Sequence, residues 1–105
     1  WRATRSRRAA RNDGWIGDLI GLEQATASVN RIRELRAEKG LGMDDFTVIT
    51  PLVDAFTPAQ YRRAEEAGIH AVLTMPWVFY CGPDPTLDEK IDGMARFRQD
   101  HFPDA

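Results

Sequence analysis

The stretch FTVITPLV, Phe46–Val53, is the longest β-type run in the chain, rich in Phe, Val, Ile and Thr and bounded by Asp44-Asp45 before it and Asp54 after it. Phe46, Val48 and Leu52 share one parity, while Ile49 and Val53 share the other. Apolar residues at both parities predict a strand covered on both faces, as parallel strands in α/β proteins are. Helical patterns lie on either side, and a second apolar run, AVLTMPW at Ala71–Trp77, follows. The run therefore reads as the middle of three parallel strands.

Downstream, Thr57-Pro58-Ala59-Gln60 is a helix-start signal. Thr can cap, Pro fits the first helical position, and Gln three residues on can complete a capping box. Tyr61, Ala64 and Ala67 supply a narrow buried stripe before Gly68, and a third strand is expected over Ile69–Trp77. Val78–Pro85 is irregular, Thr86-Leu87-Asp88-Glu89 is a second capping box, and Pro103 stops the last helix.

Upstream of the central run, Leu22, Ala25, Val29, Ile32 and Leu35 recur at three- and four-residue spacing, with Arg31, Arg33, Glu34 and Arg36 elsewhere on the wheel. Gly40 suits the helix end, beside Lys39. Trp15-Ile16-Gly17 predicts a strand of minimal length. Trp1–Arg11 carries five arginines and no acid, is helix-compatible, and stops at Asn12-Asp13-Gly14. The predicted order is a helix followed by three βα pairs.

At 105 residues the chain is one domain at most, and 43% apolar content suffices for a modest core. A net charge of −2 argues for neither nucleic acid nor an anionic membrane as partner. Cys81 is the only cysteine, which excludes an intrachain disulfide and points to a reducing, cytoplasmic compartment. No apolar run approaches the roughly 18 residues of a membrane span, and no signal-peptide pattern is evident. A chain beginning at Trp1 reads as a processed, truncated or partial product.

Parallel strands joined by helices place their C-termini at one end of the sheet, where α/β proteins bind ligands. Candidate site residues are therefore Gly17-Asp18, Asp54 and Met75-Pro76-Trp77. Asp18 and Asp54 are either polar site residues or loop and cap residues. Trp77 either stacks on a planar cofactor or closes the sheet end. The start of the first helix, with Arg2, is either an anion site or one end of a solvated face. His70 falls at the opposite, structural end of its strand, and Cys81 has no His or Asp at motif spacing. No metal-ligand spacing, GxGxxG or P-loop occurs, and no catalytic residue stands out.

Arg7-Arg8-Ala9-Ala10-Arg11-Asn12-Asp13-Gly14-Trp15-Ile16-Gly17 resembles the RRAAR…DGWI(G) segment of the luciferase-like monooxygenases. The onward spacing is similar as well: a helix ending in RELRAEKG, a strand, then Tyr61–Gly68 (YRRAEEAG) and Thr74-Met75-Pro76-Trp77. The resemblance covers nearly the whole chain but only the C-terminal part of a family member. It implies an α/β fold whose three βα units with parallel strands are the last part of a TIM-type (β/α)₈ barrel, making residues 1–105 a single partial domain.

The resemblance further implies FMN or the deazaflavin coenzyme in a full-length parent that oxidises or reduces a small organic substrate. In the family, a Gly-Gly pair and the first turn of the next helix hold the cofactor phosphate. Arg2, Ala3 and Thr4 match that turn, Asp18 matches a pocket position, and Trp77 is the aromatic candidate. The chain alone is not expected to be catalytically complete; the cofactor is expected in the full-length parent, and whether this chain binds it alone stays open. The alternative is a non-catalytic βα module acting through self-association or partner binding. Three strands cannot close a barrel, so unpaired edges and an open face predict a symmetric homodimer.

Overall fold

The computed structural model describes residues 2–104, with side chains from residue 5 onward. Its elements are α1 (Arg2–Ala10), β1 (Gly14–Ile16), α2 (Leu22–Glu38), β2 (Thr47–Pro51), α3 (Pro58–Glu66), β3 (Ala71–Leu73), a 3₁₀ turn (Pro76–Phe79) and α4 (Leu87–His101). They fall into two compact units, Trp1–Leu73 and Thr74–Ala105.

The first unit is an open α/β layer structure. Its three strands form one parallel sheet in the order β1-β2-β3. Trp15 aligns with Val48, Ile16 with Ile49, Ile49 with Ala71, and Pro51 with Leu73. An isolated bridge between Ile20 and Leu52 prolongs the β1–β2 pairing.

One face of β2 carries the core. Phe46, Val48, Thr50 and Leu52 are buried, together with Ala9 and Ala10 of α1, Ala25, Val29, Ile32 and Leu35 of α2, and Ala64 of α3. The expected burial of both faces is not found. Val53 is 47% exposed, Ile16 72% and Leu73 51%, and Ile49 is half-buried. Consecutive strands added in one direction by right-handed crossovers place every connecting helix on the same side of the sheet. A two-sided sheet needs a reversal in strand order, and the three described strands show none.

The third strand is also shorter than Ile69–Trp77. Pro76 has no N–H to give a ladder, and it opens the 3₁₀ turn instead. His70 has the structural role its position suggests: its Nδ1 accepts from the Val48 N–H at 2.9 Å, while its own N–H donates to Val48 O.

Local sequence signals explain the helix ends. Both predicted capping boxes form, Thr57 with Gln60 and Thr86 with Glu89. Gly40 (φ 73°) and Gly68 (φ 95°) end α2 and α3 in the left-handed region that glycine alone enters without cost. At Gly68, Ile69 N–H returns to Ala64 O and Gly68 N–H to Glu65 O, satisfying two of the helix's last carbonyls.

In the second unit the 3₁₀ turn packs on α4. A Cβ at Gly93 would stand 2.7 Å from Trp77 Cα, so only glycine permits this approach. Phe79 stacks on Phe97, whose ring lies 4.1 Å from that of His101. The Tyr80 hydroxyl donates to Asp100 at 2.7 Å. Desolvation and then this carboxylate push the Tyr80 phenol above its usual pKa.

Candidate functional site

A cleft of about 440 Å³ opens in the first unit between α1, β1 and the start of α2. Arg5, Arg8 and Asn12 contribute from one side and Gln24 and Ser28 from the other, over Trp15, Ile16 and Ile20. Helical spacing produces both polar walls. Arg5 and Arg8 are three apart on α1 and Gln24 and Ser28 four apart on α2, so each pair shares one helix face, and Asn12 joins the first wall from the turn just after α1. The volume lies within the range of roughly 300–1,000 Å³ typical of small-molecule sites.

Asp18 lies on this cleft. Its carboxylate accepts from Arg5 Nη1 at 2.8 Å, and the Asp18 side chain is 75% exposed. Such an exposed pair contributes about 0–1 kcal/mol to stability. Its larger effect is on charge, since it neutralises an acid that would repel an anionic ligand. No ion pair is found for Arg8 among the described residues, and its guanidinium remains for such a ligand.

The loop carrying Asp18 is held from beneath. Thr50 is fully buried, and its hydroxyl donates weakly to Asp18 O at 3.3 Å and Pro51 O at 3.2 Å. Gly17 allows the contact, because a Cβ there would run into the Thr50 side chain, within 2.9 Å of its Cβ.

Asp54 is a cap. Its Oδ1 accepts from Leu22 N–H at 2.9 Å, at a helix start where Gly21 offers no side-chain cap of its own. Trp77 begins in the 3₁₀ turn of the second unit, with Lys90 Nζ 5.6 Å from its ring centroid. Arg2, Ala3 and Thr4 fall in the first turn of α1, and their side chains lie outside the described residues. Cys81 donates to Glu89 O at 3.2 Å. Among the described residues, no group of His, Cys, Asp and Glu could hold a metal ion, and no helix is long and apolar enough to cross a membrane.

One buried cation escaped the sequence pattern. Arg36, which sequence placed off the apolar stripe, is 8% exposed. It donates to Gly42 O at 2.8 Å, Ala10 O at 3.1 Å and Asn12 O at 3.0 Å, and its guanidinium carbon sits 4.8 Å from the centre of the Phe46 ring. Carbonyl dipoles and the ring face replace a carboxylate as counter-charge. By gripping the end of α1, Arg36 fixes one wall of the cleft. Gln24 and Ser28 also escaped, although their spacing is visible in sequence.

The class defined so far is an open parallel α/β unit with a ligand-sized, partly cationic cleft beside its first strand. Comparison with protein-family profiles, curated proteins and solved structures found no match to the chain.

Proposed function

We propose that this chain is a cofactor-binding portion of a luciferase-like oxidoreductase acting on a small organic substrate, its three βα units forming the last part of a (β/α)₈ barrel. The sequence resemblance supplies the family, and one structural observation carries the reading: the cleft beside β1 combines cationic and amide donors with an apolar floor. That donor set suits an organic anion with a flat apolar part, such as FMN or the deazaflavin coenzyme. Arg8, Ser6 and Asn12 would hold the anionic group, Trp15 and Ile20 the apolar part, and the Arg5–Asp18 pair the rim. When bound, the cofactor supplies the redox chemistry, while these residues supply position and charge.

The test is a fluorescence titration of FMN and of a deazaflavin with the chain. Saturable quenching is expected, and Arg8→Ala should weaken it by about 1.5–3 kcal/mol, the range for a charged hydrogen bond. Arg62→Ala on α3, away from the cleft, should leave it unchanged. An unaltered cofactor signal with the intact chain would overturn the proposal. A second reading, a non-catalytic module acting by association, is favoured by the uncovered aliphatic face of the sheet.

A further inference from the structure

Among the described residues that line the cleft beside β1, Arg5, Arg8 and Asp18 are the charged ones. Arg5 is joined to Asp18 at 2.8 Å, and the two charges cancel. Arg8 is left to set the balance, so the cleft carries a single positive charge. Ser6, Asn12, Gln24 and Ser28 are neutral: they can orient an anion but cannot balance its charge. Just outside the lining, exposed Arg7 and Arg11 are offset in number by exposed Asp13 and Glu23.

We propose that Asp18 sets the charge of the ligand: the cleft takes a monoanion, a phosphate diester or a carboxylate, ahead of a phosphate monoester dianion. The inference deepens the cofactor-binding reading and rests on it. Its physical basis is the second negative charge. A guanidinium fork pairs two oxygens that share one charge, which a diester and a carboxylate both offer to Arg8. A monoester, whose second pKa is about 6, brings close to two charges at neutral pH. The extra charge meets no further cation among the described lining residues, and it shares the rim with the Asp18 carboxylate.

Rearrangement does not remove the effect. Turning Arg5 from Asp18 to the ligand costs little, because the pair is exposed. It leaves the carboxylate uncompensated beside the dianion, however, and the total charge of the cleft is unchanged. The backbone at Asp18 is held in place by the Thr50 hydroxyl, which donates to Asp18 O, and by the close approach of Gly17 to Thr50. FMN is a monoester and is therefore the disfavoured form of cofactor here. A flavin or deazaflavin that carries its phosphate as a diester is the favoured one.

Nuclear magnetic resonance titration of the full chain, at neutral pH and fixed ionic strength, tests this with two probes that share one ring. Phenyl phosphate is the dianion and methyl phenyl phosphate the monoanion. Amide shifts over residues 14–18 should saturate with each. The diester should bind roughly three- to tenfold more tightly, the Coulomb effect of one charge about 6 Å away at an effective dielectric constant of about 40–80. Asp18→Asn keeps the side-chain shape and should abolish or reverse that preference by tightening phenyl phosphate. Arg8→Ala should weaken both probes. Circular dichroism checks that each variant folds; if Asp18→Asn does not, the ratio for the unaltered chain still decides. Phenyl phosphate bound equally or more tightly by the unaltered chain, an unchanged ratio in folded Asp18→Asn, or no saturation with either probe would each overturn the inference. The titration with FMN and a deazaflavin uses neither probe. Saturable quenching there, beside any of those results, would leave the cofactor reading standing while this inference fell.

Discussion

Asp54 Oδ1 accepts a hydrogen bond from the backbone N–H of Leu22 at 2.9 Å, so a residue just beyond β2 caps the helix that precedes β2. Thirty-two positions separate the pair in sequence. The bond ties the ends of two neighbouring strands together where their loops leave the sheet. It also assigns Asp54 to structure, one of the two roles its sequence position allowed.

Replacing Asp54 should therefore lower stability without touching the cleft. Asp54→Ala is expected to cost about 1 kcal/mol, the usual loss for a helix cap, while Asp54→Asn keeps an acceptor oxygen and should lose less. Urea unfolding of the two variants measures the difference. Equal losses would mean that charge, and not the acceptor, supports the helix start.

Arg36 is expected to be among the most sensitive positions of the first unit. Arg36→Met keeps much of the apolar stem over Phe46 but deprives Ala10 O, Asn12 O and Gly42 O of their donor. A loss of roughly 2–3 kcal/mol follows from hydrogen bonds to a charged group. Arg36→Lys keeps the charge but not the planar fork, and should recover only part of it. A shift in urea midpoint below about 0.5 kcal/mol for Arg36→Met would contradict this account.

Gly93 sets two effects against each other. Alanine in a helix interior is favoured over glycine by about 1 kcal/mol. A Cβ at position 93, however, would meet Trp77 Cα at 2.7 Å and Trp77 Cβ at 2.9 Å. Overpacking against backbone costs about 1–3 kcal/mol, so steric repulsion should win and Gly93→Ala should destabilise the second unit. Near-ultraviolet circular dichroism and thermal unfolding report it. A stabilised variant would show that the 3₁₀ turn yields easily.

Acid should loosen the start of α4. The Thr86 backbone N–H, and then its hydroxyl, hold the Glu89 carboxyl below its usual pKa. A group with a lowered folded pKa stabilises fully above its unfolded value, near 4.3, and loses that contribution as pH falls through the folded one. The capping box should thus be intact at neutral pH and weaken below about pH 4. Glu89→Gln, which retains the amide oxygen as acceptor, should remove this pH dependence. Amide exchange at the first turn of α4, followed against pH in both proteins, is the check.

Sequence by itself determined the order of elements and most of their ends, because those depend on neighbours in the chain. Thr57-Pro58-Ala59-Gln60 and Thr86-Leu87-Asp88-Glu89 carry donors and acceptors at the three-residue spacing of a helix start, and Gly40 and Gly68 supply the left-handed residues at two helix ends. The Phe46–Val53 run likewise announced a central parallel strand. Tertiary structure alone decided which face of that strand is covered. Parity shows that Ile49 and Val53 are apolar, but the side on which helices pack follows from strand order and crossover hand. The cleft and the Arg36 clamp were hidden for the same reason. Arg5 and Arg8 lie on α1, Asn12 in the turn after it, and Gln24 and Ser28 on α2, and only their packing beside β1 makes a cavity of them. Arg36 resembled any arginine on a solvated helix face until the end of α1, brought from 26 residues away, gave it carbonyls to hold.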